Sequence, residues 1–206
     1  MPRPGTPHDA GSMALLLPPP VASSAPSTVT VSSAAIRDNT ALLRAHCGVP
    51  VMAVVKAGGF GLGAERAARA ALAGGADELG VATCDEAIEL RRAGIEVPVL
   101  AWMLHADAPF DEAIARGVRL APSSLRHLRL IQRTAARVGA VAEVEVEVET
   151  GMNRSGASRD EWRAIFRAAA AAPDVRVVGV WTHLSGTESA AFDEPLRLLD
   201  EAVSVA

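Results

Sequence analysis

The sequence contains no tyrosine, one lysine and two cysteines in 206 residues, and aromatic residues make up only 3% of it. Each scarcity excludes something. Cys47 and Cys84 stand 37 positions apart with no CxxC or CxxxH pattern, so neither a disulfide scaffold nor a metal site is expected. No apolar run approaches the roughly 20 residues a membrane helix needs. The longest run near the start, Met13 to Leu17, stops at Pro18-Pro19-Pro20 and is too short for the apolar core of a signal peptide. A cytoplasmic protein with no membrane partner is therefore expected. The 20 basic residues are outnumbered by 24 acidic ones, for a net charge of -4. That balance argues against a nucleic-acid partner, which would call for a basic stripe.

The lysine count carries the most information. Nineteen of the 20 basic residues are arginine, and Lys56 is the exception. A composition that favours arginine keeps a lysine where arginine cannot replace it. An amine forms a Schiff base with an aldehyde and acts as a base once its pKa is lowered, and a guanidinium does neither readily. The alternative reading is a surface lysine left by chance, so the position of Lys56 has to decide.

Residues 1–27, rich in Pro, Ala and Ser, read as a disordered tail, and Met13 is a second possible start. Thr28 to Val31 is a short β-prone stretch, and Ser33 to Ala45 is an amphipathic helix stopped by Gly48. A regular alternation then begins. Strands are predicted at Val51–Val55, Glu78–Ala82, Pro98–Met103, Val118–Ala121, Ala142–Glu149 and Val175–Thr182. Helices follow at Ala64–Ala73, Asp85–Ala93, Phe110–Arg116, Ser124–Val138, Arg159–Ala171 and Pro195–Val205. Such alternation specifies a parallel sheet with right-handed crossovers. The spacing, about 30 residues per unit against about 31 in a complete barrel, fits an α/β fold. It is that of a (β/α)8 TIM-type barrel, truncated to about six β/α units over residues 28–206. An open doubly wound sheet has the same local pattern and stays open as an alternative.

Lys56 falls at the C-terminal end of the first strand, the end that carries the active site in a barrel. Gly58-Gly59-Phe60-Gly61-Leu62-Gly63 follows it. This is neither a Walker loop nor GxGxxG, and alone it is a weak signal. In the fifth strand Glu143, Glu145, Glu147 and Glu149 alternate with Val144, Val146 and Val148. Period two puts the carboxylates on one face: the interior of a barrel, or a solvated face in the plainer reading. The strand runs directly into Thr150-Gly151-Met152-Asn153-Arg154, so a carboxylate of the row is placed to hold Arg154 against an anionic group. The sixth strand ends at His183. Of the other histidines, His8 lies in the tail, His46 and His127 fall on helices, and His105 follows the third strand as a weaker candidate. Lys56, Arg154 and His183 thus share one rim.

These residues resemble a known family. Val54-Val55-Lys56-Ala57-Gly58-Gly59-Phe60-Gly61-Leu62-Gly63 resembles the pyridoxal 5'-phosphate (PLP) motif VVKA(N/D)(A/G)YGHG of alanine racemase. Thr83-Cys84-Asp85-Glu86-Ala87 and Pro98-Val99-Leu100-Ala101-Trp102 resemble its following segments, Glu149 to Gly156 its DTG(M/L)xRxG motif, and Thr182-His183-Leu184 its (T/S)H(F/M/L) motif. The order and separations agree from Thr28 to Ala206.

The resemblance implies PLP held covalently by Lys56, which also moves the α-proton of a small amino acid, alanine, on the D side. It implies Arg154 on the cofactor's phenolic oxygen and the substrate carboxylate, and His183 lining the cofactor and helping to polarise the opposite base. Phe60 stands where the family has a phosphate-binding tyrosine, and Gly58 and Leu62 replace polar residues. Glu147 stands where the family often has a carbamylated lysine, so its carboxylate is the expected support for Arg154. The family continues through two more barrel units and a further domain, forms homodimers, and takes its L-side base, a tyrosine, from the partner subunit. The expected function is racemisation of L- and D-alanine, for D-alanine supply to peptidoglycan, by a truncated N-terminal portion. The alternatives are another fold-type III PLP enzyme or PLP carrier, or a non-catalytic remnant that associates with a full-length relative.

Overall fold

Six parallel strands lie side by side in chain order, each paired with the next. They are β1 (Met52–Val54), β2 (Glu78–Val81), β3 (Val99–Ala101), β4 (Arg119–Leu120), β5 (Ala142–Glu147) and β6 (Val175–Trp181). Sequential parallel order with a helix in each connection is the TIM-barrel N-terminal pattern rather than the doubly wound one, whose strand order reverses at a switch point. Among the described residues β1 and β6 are each paired on one side only, so the sheet is an arc of a barrel. The computed structural model describes residues 27–185 and 191–206. The chain divides into Met1–Val31 and Ser32–Ala206. The predicted tail lies almost wholly outside the described residues. Residues 28–31, β-prone by sequence, form no strand, because β propensity yields a strand only where a partner completes the ladder.

The helices are α1 (Ser33–Cys47), α2 (Lys56–Phe60), α3 (Ala64–Ala73), α4 (Cys84–Arg92), α5 (Phe110–Ala115), α6 (Leu125–Val138), α7 (Trp162–Ala170) and α8 (Asp193–Ser204). The starts of α1, α4 and α6 follow from capping chemistry. Ser32 accepts from Ala35 N, Thr83 from Glu86 N and Ser124 from His127 N, each cap contributing about 1 kcal/mol. Gly48 and Gly139 end α1 and α6 in the left-handed conformation. Helix α7 starts three residues later than its periodicity suggests, since Glu161 N bonds back to Ser158 O in a turn.

The sheet's two faces differ. One packs Leu79, Val81, Val99, Leu120, Val144 and Val146 against the helices, all of them fully buried. Burial of each such side chain contributes about 1.5–3 kcal/mol. The other, concave face carries Met52, Val54, Leu100, Glu145, Glu147 and Trp181. The valine and glutamate rows of β5 therefore part as period two requires. On this concave face Arg119 of β4 reaches Glu78 of β2 at 2.8 Å and Glu143 and Glu145 of β5 at 3.1 and 3.0 Å. Arg176 of β6 pairs with Glu143 as well. One guanidinium therefore neutralises carboxylates from two strands, which answers the cost of burying acidic groups.

Candidate active site

The strand ends build the site. Beyond β1 the ladder continues for one bond, Val55 N to Gly80 O at 2.9 Å, and Lys56 then begins α2. This element is a left-handed turn. Ala57, Gly58 and Gly59 have φ of 55, 62 and 63°, and Phe60 follows at 56°. The turn is closed by Gly59 N to Val55 O at 2.9 Å, Gly61 N to Ala57 O at 3.0 Å and Gly63 N to Gly58 O at 2.8 Å. Left-handed backbone costs an L-residue about 1–2 kcal/mol, so glycines fill most of the turn, and Ala57 and Phe60 are held there by its bonds. The glycine-rich stretch is thus more specific than its spacing indicated. It folds Phe60 back, with the ring centroid 5.1 Å from Lys56 Nζ, a cation–π contact worth about 0.5–1 kcal/mol when exposed. Phe60 is 67% exposed.

Arg154 is carried by a loop that closes on itself beyond β5. Val148 and Ala157 form an isolated parallel bridge, with Ala157 N to Glu147 O at 2.7 Å and Glu149 N to Ala157 O at 3.0 Å. Trp162 Nε1 donates to Ala157 O at 2.8 Å and pins the loop's end to α7. Gly156 is obligatory for steric reasons. A Cβ there would lie 2.6 Å from Glu149 N and 2.7 Å from Val148 C. Thr150 and Thr182 share a 2.7 Å hydroxyl bond, which ties this loop to the end of β6 beside His183.

Glu147 is 2% exposed. Its carboxylate accepts from Ser155 Oγ at 2.5 Å. Among the described residues no carboxylate lies within ion-pair distance of Arg154, so Ser155 takes the place the sequence reading gave to the arginine. Burial pushes the Glu147 carboxyl up, opposed by the Ser155 hydrogen bond and then by the charges of Arg154 and His183. The coupling between Glu147 and Arg154 is thus through the field and through the adjacent serine.

Lys56, Glu147, Arg154 and His183 line one cavity of about 480 Å³ on the concave face, with Trp102 and Trp181. The two indoles meet edge to face, ring centroids 6.2 Å apart. Gly80 makes room for this pair, since a Cβ there would fall 2.8 Å from the Trp102 ring. Trp181 Nε1 is buried without an acceptor among the described residues. A second cavity, of about 570 Å³, shares Lys56, Trp102 and Arg154 and adds His105, Ser123 and His127. Ser123 Oγ and His127 Nδ1 are 3.1 Å apart. Burial, followed by the nearby Arg126 charge, lowers the His127 pKa. The fold therefore brings the four predicted cavity residues together and sets Phe60 over Lys56 outside them.

The sequence reading missed Trp102, Trp181 and His127 as cavity residues. The two tryptophans had a usable signal: scarce aromatics, each at a strand's C-terminal end. His127 falls on a helix by sequence, yet it lies in the first turn of α6, and every helix that follows a barrel strand begins at the functional rim. No three His, Cys, Asp or Glu side chains among the described residues are grouped to hold a metal ion.

The cavity's donors suit an anionic aldehyde cofactor. They are one amine for an imine, one arginine free of carboxylates among the described residues, and one buried N–H with no acceptor there. Residues 31–205 match the family model described as alanine racemase, N-terminal domain. An alanine racemase of Salinispora tropica is 41% identical over 187 residues, covering 84% of this chain and 50% of its own length. One from Mycobacterium ulcerans is 46% identical over 158 residues, covering 75% of this chain and 41% of its own. The crystal structure of alanine racemase from Corynebacterium glutamicum superposes with a TM-score of 0.77 at 35% identity, covering 84% of this chain and 49% of that one. The chain spans about half the length of the curated relatives it matches.

Proposed function

Because the chain belongs to the alanine racemase N-terminal domain family, we propose that it supplies the PLP-binding, D-side half of an enzyme that interconverts L- and D-alanine. The observation that carries this reading is the position of the sole lysine. Lys56 begins α2 two residues beyond β1 and lines the cavity that Arg154 and His183 also line. Residues 28–206 are the partial barrel domain in this reading and residues 1–27 a tail.

Lys56 would hold the cofactor through its amine, and the same amine would take and return the α-proton on the D face. Bound PLP supplies the electron sink that lowers the acidity barrier at the α-carbon. Arg154 would receive the cofactor's phenolic oxygen and the substrate carboxylate, since it is the guanidinium lining the cavity and is not neutralised by a described carboxylate. Glu147 tunes that charge from beneath, through Ser155. His183 would line the cofactor and help to polarise the L-side base. Phe60 would offer its ring at the position of the family's tyrosine without the hydroxyl contact. In the family the L-side base is a tyrosine of the partner subunit, and this sequence has none. Complete racemisation therefore requires a tyrosine from outside these residues, in a homodimeric assembly. Among the described residues no helix is long and apolar enough to cross a membrane, which suits a cytoplasmic supply of D-alanine for peptidoglycan.

The test uses the half-reaction. The chain is incubated with PLP, reduced with borohydride and digested, and the Lys56 peptide is weighed. Deuterium uptake at Cα of D-alanine is followed in D2O by NMR. We expect an adduct at Lys56, proton exchange from D-alanine, and loss of both in Lys56→Ala. No adduct at Lys56 overturns the reading. An unchanged PLP affinity in Glu147→Gln removes Glu147 from it.

A further inference from the structure

The Glu86 carboxylate joins two strand ends that are remote in sequence. Oε2 accepts from Ala82 N at 2.8 Å and Thr83 N at 3.2 Å, closing the capping box of α4. Oε1 accepts from Ala57 N at 2.6 Å, across 29 residues. A capping box needs only the first of these oxygens. The second reaches the peptide that joins Lys56 to Ala57, where the backbone enters the left-handed turn at φ 55°.

We infer that Glu86 is the positioning residue for Lys56, acting through the Lys56–Ala57 peptide. Ala57 lacks the freedom of glycine in left-handed backbone, so its N–H needs a fixed acceptor to keep the peptide plane in place. That plane fixes the backbone from which the Lys56 side chain extends. A carboxylate suits the task because both oxygens accept and three N–H donors converge on it. An amide has one accepting oxygen. In Glu86→Gln the oxygen stays with the two N–H groups of the cap, and the amide NH2 faces Ala57 N–H. In Glu86→Asp the shorter side chain spans one partner but not both. The inference rests on the reading of Lys56 as the cofactor lysine, and its test separates the two.

Wild type, Glu86→Gln and Glu86→Asp are compared with Ser32→Ala, which removes the cap of α1. Three quantities are read: amide exchange at Ala57, the dissociation constant for PLP, and the urea midpoint. Both Glu86 variants should speed Ala57 exchange and weaken PLP binding about tenfold, the loss of one charge-assisted bond. Their midpoints should fall no further than that of Ser32→Ala, whose PLP affinity stays at the wild-type value. PLP affinity within about twofold of wild type in both Glu86 variants, or an equal loss in Ser32→Ala, overturns the inference. If wild type forms no PLP adduct, the reading of Lys56 as the cofactor lysine fails instead. Glu86 is then judged by Ala57 exchange and by the rate at which N-hydroxysuccinimidyl acetate acylates Lys56, the one lysine side chain present. A variant that alters neither sinks it.

Discussion

Gly156→Ala should unhinge the loop that carries Arg154. The added Cβ would meet Glu149 N at 2.6 Å, Val148 C at 2.7 Å and Glu149 Cα at 3.0 Å. Ordinary non-bonded contacts between carbons lie at about 3.5–4.0 Å, and all three atoms are backbone, so no rotamer change relieves the clash. Relief comes only by opening the Val148–Ala157 bridge, which breaks Ala157 N to Glu147 O and Glu149 N to Ala157 O. Each such bond is worth about 0.5–1.5 kcal/mol net. The left-handed φ of 107° adds strain for alanine, about 1–3 kcal/mol. The expected loss is about 2–6 kcal/mol, read from urea unfolding by tryptophan fluorescence. Trp162 reports directly, because its indole donates to Ala157 O. Gly139→Ala is the control. Its φ is 70° and nothing lies within 4 Å of the new Cβ, so it carries only the left-handed cost, about 1–2 kcal/mol. A Gly156→Ala loss no larger than that of Gly139→Ala would refute the steric argument.

Burial raises the Glu147 carboxyl against the pull of Ser155, Arg154 and His183, so its proton is held more tightly in the folded than in the unfolded chain. The associated stability is present below the unfolded pKa and lost as pH rises through the folded one. Glu147→Gln should therefore be more stable than wild type at pH 8 and equal to it near pH 4, in urea midpoints taken across that range; a gap that widens toward acid contradicts this. At Glu143 burial acts upward, but the hydrogen bonds of Arg176 and Arg119 outweigh it and hold the carboxyl below its ordinary value. That contribution exists above the unfolded pKa and is lost as pH falls through the folded one. Arg119→Met should cost roughly 2–4 kcal/mol at pH 7, and denaturation curves should show the cost shrinking below about pH 4; a cost independent of pH would remove the carboxylates from the account. Burial, then the Asp85 charge, pushes the Cys84 thiol up to about 12, whereas Cys47 is exposed. Iodoacetamide should label Cys47 in the folded chain and Cys84 only in denaturant, by peptide mass; comparable rates would argue against the buried position.

The sequence by itself determined which segments alternate, although each predicted strand runs one or two residues past its observed end. Ala64–Ala73 is the helix its glycine boundaries indicated. The Glu–Val alternation set the two faces of β5, and their places at strand ends put Lys56, Arg154 and His183 on one rim. These features are local: a period of two, a cap or a stop acts within a few residues, and chain order carries it around the sheet. Tertiary structure alone decided the rest. Glycines permit left-handed backbone but do not require it, so the turn after Lys56 emerged only with its hydrogen bonds. That Ser155 rather than Arg154 meets Glu147 depends on how the loop closes through Ala157. Arg119 answers carboxylates 24, 26 and 41 residues away, and Glu86 reaches Ala57 across 29. Such partners are chosen by sheet register and helix placement, which bring distant residues within 3 Å or so, and no periodicity in the chain encodes that distance.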